Sequence, residues 1–120
     1  RKIAVISPYY PAMNDIVRTY YGEAGFEVVR DVALECENWL AIAKVTSATL
    51  IEQLKKLDGD DIDAIVQVGT NLCMASLAGE AERWLGKPVI AINTATYWHA
   101  LRANGIDDKV PGFGRLLLEH

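Results

Sequence analysis

Four short apolar runs, each followed by a stretch of helical spacing, constrain this chain more than any other feature of its sequence. Ile3 to Ile6 is the first run, and Ile16, Val17, Tyr20 and Tyr21 then recur at helical intervals until Gly25. Phe26 to Val32 is the second. Beyond a loop through Glu35–Asn38, Leu50, Leu54 and Leu57 mark one face of a helix ending near Gly59. Thr49 or Ser47 would cap that helix, and the state of Trp39, Leu40 and Ile42 is left open. Asp63 to Val68 is a nearly continuous apolar run of the kind a strand buried on both faces requires. Leu77, Ala81 and Leu85 form a helix face closed by Gly86, and Pro88 leads into the last run, Val89 to Ile92. Asn93 or Thr94 would cap a helix through Trp98 and Leu101 to Gly105, and the tail around Pro111-Gly112-Phe113-Gly114 reads as irregular.

Strand and helix alternating about four times predict an α/β fold, a flavodoxin-like doubly wound parallel sheet flanked by helices and joined by right-handed crossovers. In such sheets ligands bind outside the carboxyl ends of the strands, where the strand order reverses. The segments that matter are therefore Ser7–Asn14, Glu35–Asn38, Gly69–Met74 and Asn93–Thr96.

With 120 residues, 51% of them hydrophobic, the chain suffices for one domain, read as residues 1–117 with a tail at 118–120 that could be tag-derived. Twelve basic against sixteen acidic side chains give a net charge of -4, and no Lys/Arg cluster is present to neutralise phosphates. Nucleic acid and membrane are therefore disfavoured partners. No apolar run approaches the roughly 18 residues of a membrane span, and the start lacks a signal peptide's apolar region, which suits a cytoplasmic protein. The chain opens on Arg1 directly before a strand, as expected of a segment cut from a longer polypeptide. Cys36 and Cys73 lack both a Cys-x-x-Cys spacing and paired histidines, so they read as free thiols and not as a disulfide or metal site.

Val68-Gly69-Thr70-Asn71-Leu72-Cys73 brings a glycine, a hydroxyl and an amide to a strand end before a helix. Unpaired backbone N–H groups there could hold a carboxylate or phosphate; the same residues would also make an ordinary tight turn. The segment lacks the lysine of a phosphate-binding loop and the spacing of a dinucleotide fingerprint, which disfavours ATP and NAD. In Ser7-Pro8-Tyr9-Tyr10-Pro11 a tyrosine hydroxyl could donate to a bound carboxylate, or simply pack. Asn38 could donate its amide to the same anion, or form a turn. Cys73 could serve as a thiolate near a helix start, or as a packing residue. His99, Trp39, Trp84 and Trp98 read as packing residues.

Taken in order, Ser7-Pro8-Tyr9 with Asn14, Asn38 before Ile42-Ala43-Lys44-Val45-Thr46, Gly69-Thr70-Asn71-Leu72, Leu85-Gly86-Lys87-Pro88-Val89 and Pro111-Gly112-Phe113-Gly114-Arg115-Leu116-Leu117 carry a family likeness. The chain resembles the aspartate/glutamate racemase superfamily, and within it the second half of the maleate cis-trans isomerase and arylmalonate decarboxylase branch. The resemblance implies a cofactor-independent enzyme of two similar α/β halves with its site in the cleft between them. The substrate would be a small carboxylate, and a cysteine would add to it or exchange a proton with it. The companion here would be a missing N-terminal half; a homo-oligomer is left open. By motif position Ser7, Tyr9, Asn38, Gly69, Thr70 and Asn71 would bind substrate, with Trp39 and Ile42 on the apolar side of the pocket.

One position departs from the branch. Its second-half cysteine stands immediately before the Thr-Asn-Leu, where this chain has Gly69. Cys73, four residues on, is then the only nearby candidate for a catalytic thiol. A maleate isomerase-like reaction is the leading expectation. The alternatives are an arylmalonate decarboxylase-like one-thiol enzyme, its thiol on the missing half, or a catalytically silent carboxylate-binding domain.

Overall fold

A computed structural model describes residues 1–120. Its four strands, β1 (Lys2–Ser7), β2 (Glu27–Ala33), β3 (Ala64–Gln67) and β4 (Val89–Ala91), form one all-parallel sheet in the order β2-β1-β3-β4. The expected doubly wound architecture is present. From β1 the chain crosses one way to β2 and then returns past β1 to β3 and β4, so right-handed connections send the intervening helices to opposite faces. Helix α1 (Pro11–Glu23) lies on one face; α3 (Ser47–Leu57) and α4 (Ala75–Leu85) cover the other.

The two faces are unequally buried. The α3/α4 face holds a cluster of 14 buried residues, among them Ala4, Ile6, Ile65, Val89 and the leucines 50, 54 and 57 read from the sequence. The α1 face holds only Ile3, Val5, Val28 and Val68, with Tyr9, Val17 and Tyr21 packed against them.

Several helix ends differ from expectation. Thr46, not Thr49 or Ser47, caps α3: its Oγ1 accepts from Thr49 N at 3.2 Å, one turn ahead of the Thr49–Glu52 pattern. Trp39–Ala43 forms a short helix, α2, capped by Asn38. Gly86 closes α4 in the left-handed region, at φ +71°, as its position predicts. Helix α5 (Ile92–Ala103) begins before Asn93 and Thr94 and has no side-chain cap at its own N-cap residue, Ala91. Gln67 on β3 substitutes, its Oε1 accepting from Ile92 N at 3.3 Å.

The tail is not irregular to its end. Arg115–Glu119 forms α6, with Leu117 buried, so Leu118 and Glu119 of the expected tail belong to a helix. The cause is Glu82 on α4, whose buried carboxylate accepts from Val89 N at 3.2 Å and Arg115 N at 2.8 Å. One side chain thus joins α4, β4 and α6. Glu82→Ala leaves both N–H groups unpaired and is expected to destabilise the protein by about 1–3 kcal/mol, read as a lower urea midpoint at unchanged slope.

Candidate functional site

The strand order reverses between β1 and β3, and a cleft of about 260 Å³ opens at their carboxyl ends, lined by Pro8, Tyr9, Trp39, Ile42, Gly69, Thr70 and Asn71. A larger groove of about 560 Å³ runs between α4 and the 112–118 segment, away from the strand ends, and of its nine lining residues one is hydrophobic. The smaller cleft is the candidate site because it gathers the topological switch point, an apolar wall and backbone donors in one place.

Those donors are set by what holds the neighbouring carbonyls. The Gln67 side chain is fully buried and turns along its own strand end, Nε2 donating to Val68 O at 2.7 Å and to Gly69 O at 2.8 Å. Asn93 Nδ2 donates to Thr70 O at 2.9 Å. In a trans peptide the C=O and the following N–H point in opposite directions. With the Gly69 carbonyl drawn toward Gln67 and the Thr70 carbonyl toward Asn93, the N–H groups of Thr70 and Asn71 are turned away from those anchors. Neither donates to any group within the chain. Two orphan donors in adjacent peptides suit a carboxylate.

Gly69 is required by this geometry. Its φ is +94°, and a Cβ placed on it would stand 2.6 Å from Pro8 Cδ, 2.7 Å from Pro8 Cγ and 3.6 Å from the Tyr9 hydroxyl. A cysteine side chain at 69 therefore needs the strand end or the Pro8 ring to move. Tyr9, half-buried, packs on the α1-face cluster and brings its hydroxyl over Gly69. Asn71 Nδ2 donates to Trp39 O at 2.5 Å, tying the start of α2 to the β3 end. Trp39 itself is 82% exposed at the mouth.

The remaining expected site residues stand elsewhere. Ser7 is fully buried; its hydroxyl donates to Asn14 Oδ1 and accepts from Tyr9 N at 3.2 Å, so it is used inside the fold and does not line the cleft. Asn14 in turn donates to Asp31 at 2.6 Å, and Asp31 pairs with Arg18. Asn38 also lies off the cleft wall: its Oδ1 caps α2 by accepting from Ala41 N at 2.9 Å, while its Nδ2 has no partner within the chain. Cys73 is exposed, precedes the first residue of α4 by two positions and does not line the cleft. The other thiol, Cys36, has its pKa raised by burial, which opposes thiolate formation. No three His, Cys, Asp or Glu side chains converge to hold a metal.

Sequence reasoning did not single out Gln67, which sits in an apolar run and reads as a strand residue. A fully buried glutamine at a strand end is the signal that could have found it.

Comparison with known proteins adds to this geometry. The sequence model of one family, arylmalonate decarboxylase, matches residues 1–117. A maleate isomerase of Pseudomonas putida is 34% identical over 119 residues, covering 98% of this chain and 47% of that protein. An arylmalonate decarboxylase of Bordetella bronchiseptica is 29% identical over 122 residues, 99% of this chain and 51% of that protein. Among solved structures, a Nocardia farcinica maleate cis-trans isomerase variant with a covalently bound succinylcysteine intermediate superposes with a TM-score of 0.94 at 27% identity, covering 100% of this chain and 49% of that one. The chain spans about half the length of the relatives it matches.

Gly69→Ala, which forces a side chain into the left-handed region against Pro8, is expected to cost about 1–3 kcal/mol, measured by thermal or urea unfolding. A neutral substitution would mean that the strand end can be rebuilt freely.

Proposed function

The chain belongs to the arylmalonate decarboxylase family, and from that premise we propose that it is the carboxylate-holding half of a cofactor-independent enzyme acting on a small dicarboxylate. The observation that carries this reading is the pair of orphan N–H groups on Thr70 and Asn71, two residues that line one cleft with Tyr9 and the apolar Trp39 and Ile42. The main named relatives are maleate isomerases, so a maleate-like cis-diacid is the leading substrate.

In that reaction a thiolate adds to one alkene carbon, forming a C–S bond, and the π electrons move onto the adjacent carboxylate as an enediolate. Protonation at carbon gives a succinyl thioether, the adduct named for the Nocardia farcinica variant. Rotation about the former C=C bond, now single, loss of a proton from the carbon that was protonated and expulsion of the thiolate then give the trans diacid. Charge builds on carboxylate oxygens in the transition states, and preorganised N–H and O–H donors in a low-dielectric cleft stabilise it. This half supplies those donors, and the thiol comes from a companion half. Asn38 lies off the cleft wall but keeps a free Nδ2 beside α2, which would donate to a substrate extending past that wall toward the companion half.

A second reading rests on Gly69. Decarboxylation of a malonate releases carbon dioxide and leaves an enediolate that one thiol can protonate, so a strand end without sulfur is no obstacle to an arylmalonate decarboxylase-like reaction.

The test is turnover by the intact polypeptide with maleate, followed as formation of the trans diacid, and with an arylmalonate, followed as carbon dioxide release. Tyr9→Phe is expected to lower kcat/KM on the accepted substrate by about tenfold or more, in keeping with loss of one oxyanion donor. Binding of dicarboxylate without turnover or solvent-deuterium uptake would leave only the carboxylate-binding domain; no binding at all would refute the proposal.

A further inference from the structure

The sheet's two faces are not equally closed, and the open part has a definite place. Arg18 on α1 reaches toward β2, donating to Val28 O and pairing with Asp31. At 3.6 residues per turn, Met13, Ile16 and Tyr20 fall on the side of α1 away from Arg18, toward β3 and β4. All three are exposed: Met13 45%, Ile16 62% and Tyr20 67%. The sheet beside them is incompletely covered. Val66 on β3 and Ile90 on β4 point to the α1 face and are only half-buried, and Ile90 belongs to neither core cluster. Helix α1 packs on β2, and α5 lies against β4, α4 and α6, so the β3–β4 part of this face has no helix of its own.

An all-parallel sheet with an uncovered apolar face is rare, because its strands are built to be buried on both sides. We propose that an apolar segment of the companion half covers this face, packing on Met13, Ile16, Tyr20, Val66 and Ile90. The inference rests on the two-half reading above. The companion half is the occupant because the relatives carry a further body of about this chain's own size, and because the patch is continuous with the candidate site. Tyr9 packs on the same face cluster and lines the cleft. Docking would therefore press on the residue that supplies the cleft's hydroxyl, coupling association of the halves to formation of the site.

The chain has two methionines, which provide the test: Met13 in the patch and Met74, 1% exposed, in the core. The intact polypeptide is treated with hydrogen peroxide, native and urea-unfolded, at a series of protein concentrations, and sulfoxide at each methionine is followed by mass spectrometry. Met13 is expected to oxidise nearly as slowly as Met74 in the native protein, with both accelerating by about tenfold or more on unfolding, and with no change in protection on dilution to the monomer. Native Met13 reacting at its unfolded rate would overturn the proposal. Protection lost on dilution would overturn it as well, because a second copy would then be the cover. Turnover assayed on the same preparation before peroxide is added separates the two claims: protected Met13 without turnover leaves the docking face standing and removes the enzymatic reading, whereas turnover with reactive Met13 does the reverse.

Discussion

Two carbonyl groups held from behind determine what this strand end can do. Gln67 holds the Gly69 oxygen and Asn93 holds the Thr70 oxygen, and because each peptide is rigid and trans, fixing a carbonyl fixes the direction of the next N–H. The donors at Thr70 and Asn71 are thereby preorganised without any charge on the protein. That matters for a chain with net charge -4, which offers no basic cluster to draw in an acid. The sheet topology supplies the setting: β1 and β3 are neighbours whose connecting helices leave to opposite faces, so no crossover closes over the gap between their ends.

Gly69 links that geometry to the chemistry. The resemblance to the maleate isomerase and arylmalonate decarboxylase branch implies a cysteine here, and this chain has a glycine whose backbone lies in the left-handed region with the Pro8 ring where a Cβ would stand. The strand end is therefore shaped around the absence of a side chain. The space freed is the space over which the Tyr9 hydroxyl sits. The proposed function assigns this half the gripping of a carboxylate and the companion half the sulfur, and a strand end without a side chain at 69 is compatible with that division.

Much of the fold was legible because it follows from periodicity. The four apolar runs became four parallel strands, and Leu50, Leu54 and Leu57 became the buried face of α3. The features that were not legible all depend on partners distant in sequence. Glu82 reads as a charged residue on a helix, and only its bonds to Val89 and to Arg115, 33 residues away, show that it orders α6. Gln67 reads as part of a strand, yet it also replaces the local cap of α5. The site was legible in the same proportion. Tyr9, Gly69, Thr70, Asn71, Trp39 and Ile42 converge on one cleft, whereas Ser7 is drawn inward by Asn14 and Cys73 faces solvent. Motif order located the strand ends, but the direction of each side chain depends on hydrogen bonds that spacing does not record.

The most direct measurement is backbone-amide NMR of the intact polypeptide during titration with maleate. If the anchored strand end grips a carboxylate, the Thr70 and Asn71 amide protons move downfield in a saturable way and by more than any others in this half. Saturable shifts confined to the groove between α4 and α6, or no response at Thr70 and Asn71 under conditions of turnover, would contradict it.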